Sequence, residues 1–143
     1  MIVKVYTDGT FNTSNNCYGS AGRLYIDNYP IPLEFKIKGQ DTYKIKSRQT
    51  AGELLAVMHA IDYAILLKAE RVEIYYDYEA IEKLTLTKEE GGITPRKRLT
   101  KNYKTFIDEN KNKIIIKFIK VKAHKNKNNI KVDRLAREVT TVE

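Results

Sequence analysis

The hydrophobic spacing of this chain switches from strand-like to helical and back, and that alternation limits its architecture more than any other feature. Residues 2–8, 18–27 and 33–38 are β-branched and aromatic-rich runs, broken by Asn28-Tyr29-Pro30 and Gly39-Gln40-Asp41, and read as an antiparallel meander. From about residue 49 to 68 the period lengthens. Leu54, Met58, Ile61 and Ile65 form one stripe, with Val57, Ala60 and Ala64 beside it, as expected of a core-facing helix. Val72, Ile74 and Tyr76 mark a short strand, and residues 79–84 a brief helix. A loop with Gly91-Gly92, Pro95 and the basic run Arg96-Lys97-Arg98 leads to a helix near 103–110. Residues 114–121 are the strongest strand in the chain, and Val132, Leu135, Ala136 and Val139 give a last helix, from about Asn129, its buried stripe. This order implies a mixed sheet covered by helices, in the α/β or α+β class.

With 143 residues, 42% of them hydrophobic, the chain suffices for one compact domain over 1–143. The single cysteine, Cys17, excludes an internal disulfide and suits a reducing compartment; it reads as an unremarkable loop thiol. No apolar run reaches the roughly 20 residues that a membrane span needs, so a cytoplasmic protein without a membrane partner is expected. Lys and Arg total 26 against 18 Asp and Glu, a net charge of +8 that suits a polyanionic partner.

Most acids, including Glu73, Glu82, Glu89, Glu90 and Glu138, sit where exposure to water is expected. Four do not. Asp8 and Asp77 each close an apolar strand, and parallel neighbouring strands would bring both side chains to one sheet end. Glu53 lies one turn before Val57, on or beside the core face of its helix, where a charge needs a partner or a metal. Asp133 adjoins the buried stripe of the last helix, with Asn129 one turn earlier; an ion pair with Arg137 at i+4 is its structural alternative. Gathered together, these carboxylates would raise one another's pKa and favour hard cations such as magnesium or manganese.

Five runs carry a family resemblance: Tyr6-Thr7-Asp8-Gly9-Thr10, Ala51-Gly52-Glu53-Leu54-Leu55-Ala56, Ile74-Tyr75-Tyr76-Asp77-Tyr78-Glu79, Val121-Lys122-Ala123-His124 and Asp133-Arg134-Leu135-Ala136. In this order, over nearly the whole chain, they resemble type 1 ribonuclease H, and the Tyr-Tyr-Asp-Tyr-Glu wording is especially like bacterial members. Such members often carry a separate N-terminal hybrid-binding domain, for which this length leaves no room. The resemblance implies a five-stranded mixed sheet, with strands 1–3 antiparallel and helices on both faces. It also implies that Asp8, Glu53, Asp77 and Asp133 bind two magnesium ions, with manganese as a substitute, and that His124 is the family's mobile histidine. Contacts to an RNA/DNA hybrid would come from Gly9, Thr10, Asn12, Gln49, Thr50, Arg96, Lys97, Arg98 and Asn129.

The chain departs from the family in having Gln49 and Thr50 where asparagine is common before the glutamate. It also has no tryptophan, so Arg96, Lys97, Arg98, Lys101 and Lys104 replace only part of the basic helical protrusion of some relatives. The implied reaction is hydrolysis of the RNA strand to 5′-phosphate and 3′-hydroxyl ends, and a monomer is expected. His59, inside the core helix, is assigned to packing. Two other readings use the same residues: a nucleic-acid-binding module that has lost cleavage, and a DNA nuclease or transposase-like enzyme on the same fold.

Overall fold

The computed structural model describes residues 1–40, 47–122 and 126–141. Five strands form one sheet in the order β3-β2-β1-β4-β5: β1 (Ile2–Asn12), β2 (Cys17–Ile26), β3 (Leu33–Gly39), β4 (Arg71–Tyr76) and β5 (Ile115–Lys120). β1, β2 and β3 are antiparallel neighbours, whereas β1–β4 and β4–β5 are parallel. Among the described residues the helices are α1 (Gln49–Leu66), the single turn α2 (Ala80–Lys83), α3 (Arg98–Asn110) and α4 (Lys127–Thr141). This is the mixed sheet expected from the alternation of periods.

Strand alternation assigns a helix to each face of the sheet. Val3 and Val5 join Leu54, Val57 and Ile61 of α1 in the main core, where Leu99, Tyr103 and Ile107 of α3 also bury their side chains. Tyr6 and Ala21 point the other way and meet Val132, Leu135 and Ala136 of α4. The stripe expected on α1 is borne out, with Leu54, Val57, Ala60, Ile61 and Ala64 fully buried and Met58 and Ile65 partly so. His59 lies against Phe35, their ring centroids 6.1 Å apart, in the packing role expected of it.

Several boundaries differ from the sequence reading, each for a local reason. β1 runs past Asp8 to Asn12 because Asp8 and Gly9 still pair with Ala21 and Ser20 of β2. Lys68 adopts φ 59, which α1 cannot accommodate, so the helix stops at Leu66. α3 begins at Arg98, five residues early: Thr100 Oγ1 accepts a hydrogen bond from Lys97 N at 3.1 Å, and Leu99 anchors the first turn in the core. α4 begins at Lys127 because Asn126 Oδ1 accepts from Asn128 N at 2.8 Å, capping it. Cys17 is buried at the start of β2 and is not a loop thiol.

Candidate metal and nucleic-acid site

The sheet register creates the site. β1 and β4 pair in parallel from Ile2↔Arg71 to Tyr6↔Tyr75 and then part, β1 staying with β2 while the chain leaves β4. Asp8 and Asp77 each lie two residues beyond that last pair, so both side chains emerge on one sheet face at the mouth of the gap. Directly below them Tyr6 and Tyr75 stack, with centroids 4.6 Å apart and planes at 17°, which holds the two strands in this register.

Glu53 reaches the same gap from α1 because the helix approaches the sheet closely. A Cβ on Gly9 would stand 2.1 Å from Glu53 N, and one on Gly52 would stand 2.2 Å from Gly19 O, so both glycines are required by the approach itself. Ser20 Oγ donates to Gly52 O at 2.7 Å and fixes the first turn. As a result Asp8, Glu53 and Asp77 each present a carboxylate oxygen within 4.8 Å of the others.

Burial dominates the electrostatics of this trio. Asp8 and Glu53 retain only 6% and 7% of their exposure, and Asp77 is half-buried. Burial pushes the Asp8 carboxyl up to about 7, with the charges of Asp77 and Asp133 adding to the rise; hydrogen bonds with Glu53 and Gly9 N, the latter 2.9 Å long, oppose it. Glu53 is raised well above the ordinary carboxylate range, first by burial and then by the charge of Asp8. Without a cation, Asp8 and Glu53 therefore share a proton near neutral pH. Glu53 Oε2 is buried with no hydrogen-bond partner among the described residues. Three converging carboxylates and an orphaned acceptor are an oxygen-only donor set that suits a hard divalent cation.

Asp133 is not in this trio. Its carboxylate accepts from Arg137 Nε at 3.0 Å, the i+4 pairing that the sequence allowed, yet its charge still reaches Asp8 across the α4 face. Glu73 also departs from expectation: it is 9% exposed, on the sheet face below the acids, ion-paired to Arg71 at 2.8 Å and accepting from the Tyr75 hydroxyl at 3.2 Å. Its exposure was expected because strand alternation alone does not show that a neighbouring arginine covers it.

The expected nucleic-acid contacts separate into groups. A cavity of about 550 Å³ beside the start of α1 brings together Thr50, Arg96 and Lys97, along with Ser47, Thr94 and Thr100, which the sequence reading did not single out. Gln49 and Arg98 are exposed at the first turns of α1 and α3. Asn12 is engaged structurally: Oδ1 accepts from Ser14 N, and Nδ2 donates to Thr140 O at 3.3 Å. Asn129 is buried in the first turn of α4, with its Oδ1 unpartnered among the described residues. Arg48, also missed, has φ 54 and lays its guanidinium carbon 5.2 Å from the Phe11 ring centroid. His124 lies outside the described residues.

Residues 1–141 match the RNase H family. The chain belongs to the RNase H family. This makes it a ribonuclease H hydrolase, and known structures agree with its fold. The RNase H1 of the halophilic archaeon Halobacterium salinarum NRC-1 superimposes with a TM-score of 0.76 at 17% identity, covering 98% of this RNase H and 98% of that chain. The N-terminal RNase H domain of a Mycobacterium tuberculosis protein, solved as a fusion with maltose-binding protein, gives 0.74 at 16% identity, covering 96% and 91%. An LC11 RNase H1 in complex with an RNA/DNA hybrid gives 0.69 at 16% identity, covering 97% and 99%. No curated protein sequence matches this RNase H.

Proposed function

We propose that this RNase H is an endoribonuclease that hydrolyses the RNA strand of RNA/DNA hybrids with two divalent cations, magnesium in the first place and manganese as a substitute, leaving 5′-phosphate and 3′-hydroxyl ends. The observation that carries the reading is the convergence of Asp8, Glu53 and Asp77 within 4.8 Å, with a buried Glu53 oxygen left unpartnered. The hybrid bound by the LC11 relative supports the choice of substrate.

In this reading Asp8, Glu53, Asp77 and Asp133 hold the cations. When bound, such a pair supplies a nucleophilic water at neutral pH, charge stabilisation at the phosphate and assistance to the departing 3′ oxygen. Asp8 and Glu53 give up their shared proton on binding, so loading consumes the electrostatic strain that burial creates. His124 is assigned proton transfer at the leaving oxygen or release of the product, tasks suited to an imidazole near neutral pH.

Thr50, Arg96 and Lys97 are assigned to backbone phosphates along the cavity beside α1, and Gln49, Arg98, Gly9, Thr10 and Asn129 are assigned as further hybrid contacts. Asn12 takes part through its backbone at most, since its side chain is occupied. RNA is distinguished from DNA by the 2′-hydroxyl and the shape of the minor groove, so sequence preference is weak.

The test is a cleavage panel of RNA/DNA, double-stranded DNA and double-stranded RNA of one sequence, each with magnesium and with EDTA. Cutting confined to the RNA of the hybrid, and to the magnesium arm, is expected. Preference for double-stranded DNA, or no cutting by folded protein in magnesium, overturns the reading.

A further inference from the structure

Three of the four family acids converge and the fourth is held by an arginine, and that asymmetry has a chemical consequence. Asp133 and Arg137 lie along one edge of the α4 stripe formed by Asn129, Val132 and Ala136. Val132 and Ala136 are fully buried, so the backbone that carries Asp133 is fixed against the sheet. The carboxylate is not fixed in the same way. Its ion pair is made from the solvent side, with the Arg137 side chain 66% exposed and that of Asp133 only 22% exposed. Asp133 nevertheless lies close enough for its charge to act on Asp8.

We propose that Arg137 is a positioning residue that competes with a divalent cation for the Asp133 carboxylate, and so sets how much metal this RNase H needs. This rests on reading the acids as a metal centre. The competition is modest in size, because an exposed i,i+4 ion pair shifts an equilibrium only about twofold. A nearby positive charge also opposes a dication in the same pocket, so removing it contributes a further factor of about two.

The experiment titrates manganese into the full chain without nucleic acid and follows free Mn²⁺ by electron paramagnetic resonance, with circular dichroism to verify the fold. Arg137→Gln is expected to tighten the weakest of the bound ions about two- to fivefold, and Arg137→Glu to tighten it further. In the Asp133→Asn background, Arg137→Gln is expected to keep only the charge contribution of about twofold, since the carboxylate under competition is gone. On a hybrid, the magnesium concentration for half-maximal rate falls by the same factor while KM for the hybrid stays constant.

Unchanged or weaker manganese binding by both arginine variants overturns the proposal. So does a gain that persists undiminished with Asn at position 133, or a raised KM with an unchanged isotherm, which would make Arg137 a phosphate contact. If the wild type binds and cuts while the arginine variants bind no more tightly, only the competition falls. If the wild type neither binds manganese nor cuts, the metal-centre reading falls with it.

Discussion

Replacing Asp8 with asparagine should stabilise the metal-free protein at alkaline pH while removing its activity, because the carboxylate is placed for a cation and not for folding. A carboxyl whose pKa moves from 3.8 to about 7 makes its ionised form less favourable by about 4 kcal/mol, at about 1.4 kcal/mol per tenfold change. The folded state thus binds more protons than the unfolded chain between roughly pH 4 and 7. The favourable contribution is complete below the unfolded value and is lost as pH rises through the folded one. Asparagine keeps the size of the side chain and the oxygen that accepts from Gly9 N, and its amide donates to Glu53 where Asp8 repels it. Some of the 4 kcal/mol is recovered elsewhere in the wild type by relaxation of the pair, so a gain of about 2–4 kcal/mol is expected for Asp8→Asn in EDTA at pH 8.5. Near pH 4 the two proteins should be about equally stable. Urea denaturation at both pH values, with and without magnesium, measures this, and magnesium should erase the difference by stabilising only the wild type. A variant no more stable than the wild type at pH 8.5 in EDTA would refute the argument that burial and mutual repulsion govern this pair.

Other perturbations test separate parts of the account. Asp77→Asn, half-buried and outside the core, should leave the unfolding midpoint nearly unchanged and lower cleavage by at least about a hundredfold at any magnesium concentration; near-normal turnover would contradict its role. Gly52→Ala forces a methyl group against Gly19 O, and should cost about 2–3 kcal/mol by thermal denaturation as α1 moves off the sheet, with activity falling further than stability alone explains. Lys97→Ala and Arg96→Ala should each weaken hybrid binding and lower the slope of log affinity against log salt by about one; an unchanged slope would remove that side of the cavity from the interface.

Much of the fold was legible because it depends on periodicity. The stripe of Leu54, Val57 and Ile61 announced α1 and its buried face, and the run around Ile116 and Phe118 announced β5. Asp8 and Asp77 were legible as a pair because two apolar runs ended at aspartate. What could not be read is the register that makes them meet, since it comes from parallel pairing with β4 between Tyr6 and Tyr75. The end of β1 was misplaced because Asp8-Gly9 looks like a turn by composition, whereas pairing with β2 carries the strand on to Asn12. Glu73 was misjudged because its burial depends on Arg71 lying beside it. For Asp133 the sequence left both outcomes open, since hydrophobic patterning is blind to whether Arg137 or a cation holds its carboxylate.

The account stands on the carboxylates forming a metal centre, and a crystal of the wild type soaked in manganese, examined by anomalous diffraction, tests this most directly. Two peaks about 4 Å apart, both within coordination distance of Asp8, with Glu53, Asp77 and Asp133 completing the ligand set, are the predicted result. Manganese bound only elsewhere on the molecule, with Asp8 and Glu53 still joined by their shared proton, would contradict it.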